Sequence, residues 1–362
     1  MTTLTNTLMK GLNDKTAQAF LNELPMPLTY QLYFPIVENP FFSWKTLTNN
    51  IQKPNVAADL QAQNSSVARK TRPNFQVASG DLPLISISRE LSREKMKEYE
   101  IMLSMAKGNV ANQSLVRFWA DDISFCFNGV QAEYEYIAWA LLSKAGKLAF
   151  TTSNNATFAN EFDLDYQVSS DNKDANSTSW ATAATADPIG DFQKIMKQAK
   201  ALGLNIKHIW INQDNSYLLQ ATAQMKDLTQ IYRANATKVV TIPSIAEINQ
   251  SIQNIELLKG LTLHVVDQTI TRELTDGTST SANPFDSDVA VFTESTTLGS
   301  SQFGKLQQTN PAVIYAQREN TLIKKYGNAE PVSEVTIGES DGIPVLDTAY
   351  RNLYLKTNAV AW

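Results

Sequence analysis

Cysteine occurs once in the 362 residues, at Cys126, and histidine twice, at His208 and His264. One thiol excludes an intrachain disulfide framework, which fits folding in a reducing cytosol. Two imidazoles leave little material for histidine-centred catalysis or for a multi-histidine metal site. No apolar run approaches the roughly 20 residues needed to cross a bilayer, and the opening MTTLTNTLMKGLNDK has no apolar signal-peptide core. Runs of positive charge are also missing. Basic residues never exceed two in a row, as at Arg69-Lys70 and Lys324-Lys325, and the net charge is −5. That balance excludes a dedicated nucleic-acid or anionic-membrane binder.

The residues present divide the chain into segments. In residues 1–54 a short amphipathic stretch, TAQAFLNELP, leads into YQLYFPIVENPFFSW, where prolines at 25, 27, 35 and 40 prevent a long helix. The segment reads as an extended arm. Its aromatics Tyr33, Phe34, Phe41, Phe42 and Trp44 must pack on another domain or another subunit, because an exposed patch of that size is adhesive. Residues 55–91 contain ARKTRPNFQVASGDLPLISISREL, which alternates like strands around a polar, basic bend and reads as a projecting hairpin. A helix is expected from Ser92, with Glu94 in its first turn, to Gly108. Leu115, Phe118, Trp119, Asp122, Val130, Tyr134, Ile137, Ala138 and Leu141 follow on a helical stripe. They predict one long helix, or two in line, with a weak point at Asn128-Gly129 and an end at Gly146.

LAFTT and FDLDYQVSS read as strands flanking a polar loop, and SSDNKDANSTSWATAATA as an exposed loop. Next comes the best-punctuated helix. Asp187 is its cap, Pro188 takes the first helical position, Phe192, Ile195, Met196 and Ala199 form its apolar stripe, and Gly203 stops it before the buried strand NIKHIWI. Asp214 or Asn215 is expected to cap NSYLLQATAQMKDL, and Ser244 to cap IAEINQSIQNIELLKG ahead of the strand LTLHVVDQ. Helix and strand alternating in this way predict a compact α/β layer. The apolar ending YRNLYLKTNAVAW reads as a docked strand.

A helix start raises the question of phosphate binding, but Gly190 stands alone where a glycine-rich loop is required. His208 and His264 meet only if their strands are neighbours, and without a ligand motif they read as structural. Cys126, between Phe125 and Phe127 on a helix, reads as a buried thiol. Acidic pairs at Asp121-Asp122, Glu133 and Glu135, Asp163 and Asp165, and Asp286 and Asp288 match no twelve-residue calcium loop. No catalytic residue, cofactor or metal is expected. The cations Arg69, Lys70 and Arg72 suit a solvated loop tip or a contact with a neighbour's carboxylates equally well.

Taken in order, these parts resemble the major capsid proteins of tailed bacteriophages, specifically the lambda-like coat family. The aromatic segment to Trp44 is similar to that family's N-terminal arm, and ARKTRPNFQVASGDLPLISISREL occupies the place of its extended loop. The stretch Glu94 to Lys144 is similar to the spine helix, with SLVRFWADDISFCFNG as an apparent insertion. GKLAFTTSNNATFANEFDLDYQV resembles the strand pair of the peripheral domain, and SWATAATADPIGDFQKIMKQAKALGLNIKHIWINQDNSYLLQ the beginning of the axial domain. GLTLHVVDQTI and NPFDSDVAVFTESTTLGSSQFG match the later strands and the return.

The resemblance implies an α+β fold with an N-terminal arm (1–54), an extended loop (55–91), a spine helix with peripheral domain (92–186), an axial domain (187–300), a return to the peripheral domain (301–348) and a C-terminal strand (349–362). It implies a non-enzymatic subunit that forms hexamers and pentamers of an icosahedral head shell. Such a subunit assembles in the host bacterial cytoplasm and resides in the virion. Its partners are further copies of itself, with scaffolding, portal and decoration proteins supplied separately, DNA contacted only non-specifically, and no membrane. Subunit contacts are expected at Arg69, Lys70, Arg72, Phe41, Phe42 and Trp44. Abundant Asn, Gln, Ser and Thr suit wet lateral contacts independently of the resemblance. Two other classes stand beside this one: a carbohydrate or cell-surface binding module, suggested by 6 tryptophans and 12 tyrosines, and an α/β enzyme with an unrecognised site.

Overall fold

A computed structural model of the chain describes residues 7, 9, 11–26, 29–50, 58–60, 63, 75–105, 109–151, 154, 155, 163–232, 242–274, 277–308 and 310–362. In chain order these form α1 (Asp14–Glu23), α2 (Tyr30–Tyr33), β1 (Ile36–Glu38), β2 (Ser43–Asn50), β3 (Phe75–Asp81), β4 (Leu84–Leu91), α3 (Arg93–Met105) and α4 (Asn109–Ser143). The short β5 (Lys147–Leu148), β6 (Leu164–Asp165) and β7 (Lys173–Ala175) precede α5 (Pro188–Leu202), β8 (His208–Asn212), α6 (Gln213–Ala221), α7 (Ala223–Tyr232), α8 (Ile245–Ile252) and β9 (Thr262–Val266). Then come β10 (Ile270–Glu273), β11 (Ser279–Ala282), β12 (Val289–Thr293), β13 (Ser300–Phe303), β14 (Ile314–Arg318), β15 (Thr321–Ala329), β16 (Val332–Val345) and β17 (Leu353–Lys356). The chain divides into two compact units. One comprises Met1–Trp44, Gly80–Ile137 and Ser300–Val345, the other Lys45–Ser79, Ala138–Gly299 and Leu346–Trp362.

In the first unit a sheet is built on the 14-residue β16. β15 pairs along one side of it, with β14 outside β15. The other side is shared, since β4 pairs with Glu334 to Asp341 and β13 with Gly342 to Val345. β1 joins β13 in parallel. Ile123, Cys126, Phe127, Val130, Tyr134 and Ile137 of α4 are buried at helical spacing. α4 runs without interruption through Asn128-Gly129. An interior glycine costs about 1 kcal/mol in a helix, and packing offsets that cost here: Ile87 fills the space a Cβ on Gly129 would need. Gly338 of β16 makes the complementary approach, lying against the Cys126 carbonyl.

The extended arm expected from the prolines is not found over residues 14–34: they form α1 and α2, and Ala17, Leu21, Tyr30 and Phe34 are buried within their own chain. α1 lies along the edge strand β14 and satisfies its backbone. Asp14 Oδ1 accepts the Tyr315 N–H at 3.0 Å, while Gln18 accepts from the Gln317 N–H at 2.9 Å and donates to the Gln317 carbonyl at 2.8 Å. An open strand edge is a template for aggregation, and two side chains at i and i+4 cover this one. Arg318 donates in turn to the Leu21 and Leu24 carbonyls (3.1 and 2.6 Å) at the end of α1. The Glu135 carboxylate accepts from the N–H groups of Thr29 and Tyr30 (3.1 and 2.8 Å) and so fixes the start of α2. Tyr30 and Phe34 are fully buried.

β2 and β3 form a two-stranded sheet of their own. The outgoing strand of the hairpin is therefore 43–50, ahead of the 55–91 span read from sequence, and residues 84–91 belong to the six-stranded sheet instead.

The second unit holds a five-stranded sheet in the order β7-β17-β12-β8-β9. Its central strand, VAVFT, is buried at every position, as a strand covered on both faces requires. β12 runs antiparallel to β8 and β17, while β9 joins β8, and β7 joins β17, in parallel. Ile209, Ile211, Phe292, Leu353 and Leu355 of the sheet share one core with Phe192, Ile195 and Ala199 of α5, Leu219 of α6, Met225 of α7 and Ile248 of α8. On the opposite face Trp210 meets Trp139, ring centroids 5.7 Å apart. The C-terminal segment is docked through β17, as its apolar pattern requires.

α5 starts and stops where its sequence signals. Asp187 accepts the Gly190 N–H at 2.9 Å, Pro188 opens the helix, and Gly203 closes it in the left-handed region at φ 73°. Its neighbours depart from expectation. Asn212, not Asp214 or Asn215, caps α6, accepting the Asp214 N–H at 2.7 Å. The segment then breaks at Thr222, whose hydroxyl donates to the Leu219 carbonyl at 2.7 Å and ends α6 before α7 begins. α8 has the capping box between Ser244 and Glu247 but ends at Ile252, well short of Gly260. Gln253 holds the remaining turns, accepting the Gly260 N–H at 2.7 Å and donating to the Leu261 carbonyl at 2.6 Å. Among the described residues, the strands expected in LAFTT and FDLDYQVSS reduce to the two-residue pairing of β5 with β6, because polar side chains take over the neighbouring backbone. Asp163 accepts from the Phe150 N–H and Asp165 from the Gln167 N–H (2.9 and 2.8 Å).

Candidate functional site

Asn39-Pro40-Phe41-Phe42 forms a tight turn between β1 and β2, and Asn39 organises it. Its backbone N–H donates to the Phe303 carbonyl at 2.7 Å, its Oδ1 accepts the Phe41 N–H at 2.9 Å, and its Nδ2 donates to the Ser43 carbonyl and to Gln302 Oε1, both at 3.0 Å. The Phe42 carbonyl accepts the Leu82 N–H at 2.9 Å. A backbone held at this many points leaves the two rings little choice: Phe41 is 71 % and Phe42 68 % exposed. Trp44 points the other way and is only 4 % exposed, its ring against Gly80, where a Cβ would lie 3.0 Å from Nε1. Val37 on β1 and Leu84 on β4 are exposed as well. An open groove of about 420 Å³, lined by Glu38, Phe303, Lys305, Leu306, Gln308 and Gln317, lies beside the turn. The rigid presentation of adjacent aromatics suits contact with another macromolecule. Arg69, Lys70 and Arg72 lie outside the described residues.

A buried ionic cluster in the first unit escaped the sequence reading. Lys325 Nζ lies 3.3 Å from Glu334 Oε2 and 3.7 Å from Asp122 Oδ2, and donates to Thr336 Oγ1 at 2.7 Å. Arg89 approaches Asp122 Oδ1 at 3.8 Å. Burial raises the Asp122 carboxyl above the usual carboxylate range, with Lys325 and Arg89 opposing the rise. The available signal was Asp122 itself, a charge on an otherwise apolar helical stripe.

Cys126 donates to the Thr336 carbonyl at 3.4 Å, and burial pushes its thiol up to about 11, so it is protonated at neutral pH and unsuited to nucleophilic attack. His208 and His264 are brought together, Nδ1 of the first 3.0 Å from Nε2 of the second. Asp286 is raised by burial, and Asp288 is engaged with Asn358 and, at 3.9 Å, with Lys356. Among the described residues no group of three or more His, Cys, Asp or Glu is placed to hold a metal ion. The first turn of α5 offers no cradle for phosphate. Pro188 has no N–H, Ile189 donates to Gln224 Oε1 at 2.8 Å, and Gly190 and Asp191 donate to the Asp187 side chain and carbonyl.

No protein-family model matches the chain, and no curated protein matches it in sequence. Two solved structures share its fold over nearly their whole length. A prophage protein from Escherichia coli CFT073, named as a capsid protein, aligns with a TM-score of 0.57 at 16 % identity, covering 95 % of this chain and 99 % of that one. A phage-related protein from Bordetella bronchiseptica RB50 aligns with a TM-score of 0.52 at 11 % identity, covering 96 % of this chain and 98 % of that one. The chain therefore has the α+β fold of these two phage-derived proteins, one of them named as a capsid protein.

Proposed function

We propose that the chain is the major capsid protein of a tailed phage or prophage, a subunit that self-assembles through hexamers and pentamers into the icosahedral shell enclosing the genome. The observation that carries this reading is the two-way coverage of the fold match, 95 % of this chain and 99 % of the prophage capsid protein. The role is structural rather than enzymatic, and the virion is its location, with assembly in the bacterial cytoplasm. Phe41 and Phe42 pack on a neighbouring subunit, Trp44 supports their turn from behind, and Arg69, Lys70 and Arg72 face a neighbour's carboxylates. α4 serves as the spine, β2 and β3 as the base of the extended loop, and the second unit's sheet and helices as the axial domain. Scaffolding, portal and decoration proteins act as separate partners, and packaged DNA is touched only non-specifically. The test is velocity sedimentation with negative-stain imaging of the recombinant protein, alone and co-expressed with the neighbouring genes. Closed particles are the expected product, and a species that stays monomeric in both settings rules the proposal out.

A further inference from the structure

The chain's two histidines, 56 residues apart in sequence, lie ring to ring in the second unit. Parallel pairing sets His208 opposite Thr262 and Trp210 opposite His264, so both imidazoles stand on one sheet face, offset by two residues. Their centroids are 5.2 Å apart at 44°, and His208 Nδ1 and His264 Nε2 share a hydrogen bond of 3.0 Å whose donor is set by the tautomer. The Trp210 ring stacks on His264 at 4.5 Å and 20°, and is itself held by a 2.9 Å hydrogen bond from its Nε1 to Thr293 Oγ1. One imidazole is thereby fixed in plane, while both remain partly open to solvent.

That separation has a chemical meaning. Two nitrogens bound to one ion at about 2.0 to 2.1 Å stand about 2.9 to 3.4 Å apart when the angle at the metal lies between square and tetrahedral. We propose that His208 and His264 form a two-imidazole chelate for a borderline divalent cation, of the Zn²⁺ or Cu²⁺ class, with water completing the coordination. Imidazole suits these ions, and the ring that donates the shared hydrogen bond becomes a ligand by moving its proton to its other nitrogen, which leaves a lone pair on each of the two facing nitrogens. A bound ion ties β8 to β9 and adds stability by mass action, because the unfolded chain has no such pair.

The full chain, carrying an affinity tag without histidine, is titrated with zinc chloride by calorimetry and loaded with cupric chloride for electron paramagnetic resonance. The expected result is saturable binding of one Zn²⁺ per chain, abolished in both His208→Gln and His264→Gln, with nitrogen hyperfine structure in the wild-type Cu²⁺ spectrum. Unchanged Zn²⁺ binding in the two variants, or a Cu²⁺ spectrum showing oxygen ligands alone, overturns the proposal. The spectrum is measured on the wild type, so it decides the matter even where a variant fails to fold.

Discussion

Lys325 has 1 % of its side chain exposed and faces two buried carboxylates, Glu334 at 0 % and Asp122 at 7 %. Removing one member of a buried ionic group costs about 3 to 5 kcal/mol, whereas replacing partners together with apolar residues is close to neutral. Lys325→Met is therefore expected to destabilise the subunit by that amount in urea unfolding, and Lys325→Met with Asp122→Leu to recover part of the loss. Additive losses in the double variant would contradict the coupling. The histidine pair gives a pH prediction with a definite sign. Both groups are held below the ordinary value of 6.5, so the unfolded chain binds protons where the folded chain does not. Their contribution to stability is complete above that value and is lost as pH falls through and below it. With chelator present, the wild-type melting temperature should fall more steeply between about pH 7.5 and about pH 5.5 than that of the variant with both histidines changed to glutamine. Parallel slopes for the two proteins would show that the pair does not titrate as described.

At the scale of elements, what was legible was local. Asp187, Pro188 and Gly203 delimit α5 because cap, first turn and left-handed stop each need a particular residue at one position. Asp187→Ala is accordingly expected to cost about 1 kcal/mol in chemical denaturation, and Asp187→Asn much less. The course of α4 was legible from its periodicity, although its passage through Gly129 is decided by Ile87, a partner more than forty positions earlier in the chain. The packing of α1 was not legible, because its decisive contacts are polar and reach residues about 300 positions away. The meeting of His208 with His264 depends on strand register, which the sequence does not encode locally. Lys325 follows another lysine in an alternating strand, and nothing in that alternation marks which of the two turns inward. The covering of β14 by Asp14 and Gln18 makes a prediction here: Asp14→Ala with Gln18→Ala leaves the strand edge unpaired and should raise light scattering at constant concentration. A double variant that stays as monodisperse as the wild type would show that the edge is protected in some other way.

For the whole molecule the order of parts carried more information than any motif. The fold class was readable from the succession of a long helix and an α/β layer, while Phe41 and Phe42 were readable only as aromatic residue types and not as the exposed pair of a tight turn. Assembly converts small contacts into large effects, since a closed shell repeats each contact at every copy. Fully burying a phenylalanine is worth about 1.5 to 3 kcal/mol, so Phe41→Asp with Phe42→Asp should leave subunit folding intact, by circular dichroism, yet prevent shell formation. Reversing Arg69, Lys70 and Arg72 to glutamate should misdirect assembly, and the wild-type shell should loosen as salt screens those contacts. The most direct measurement is imaging and sedimentation of the wild-type chain, produced with its neighbouring genes, beside the variant carrying both phenylalanine changes. Closed particles of uniform size are expected from the wild type, and folded, unassembled subunits from the variant. A wild-type chain that forms no particle at any concentration, or a variant that assembles as well as the wild type, would contradict the proposed role.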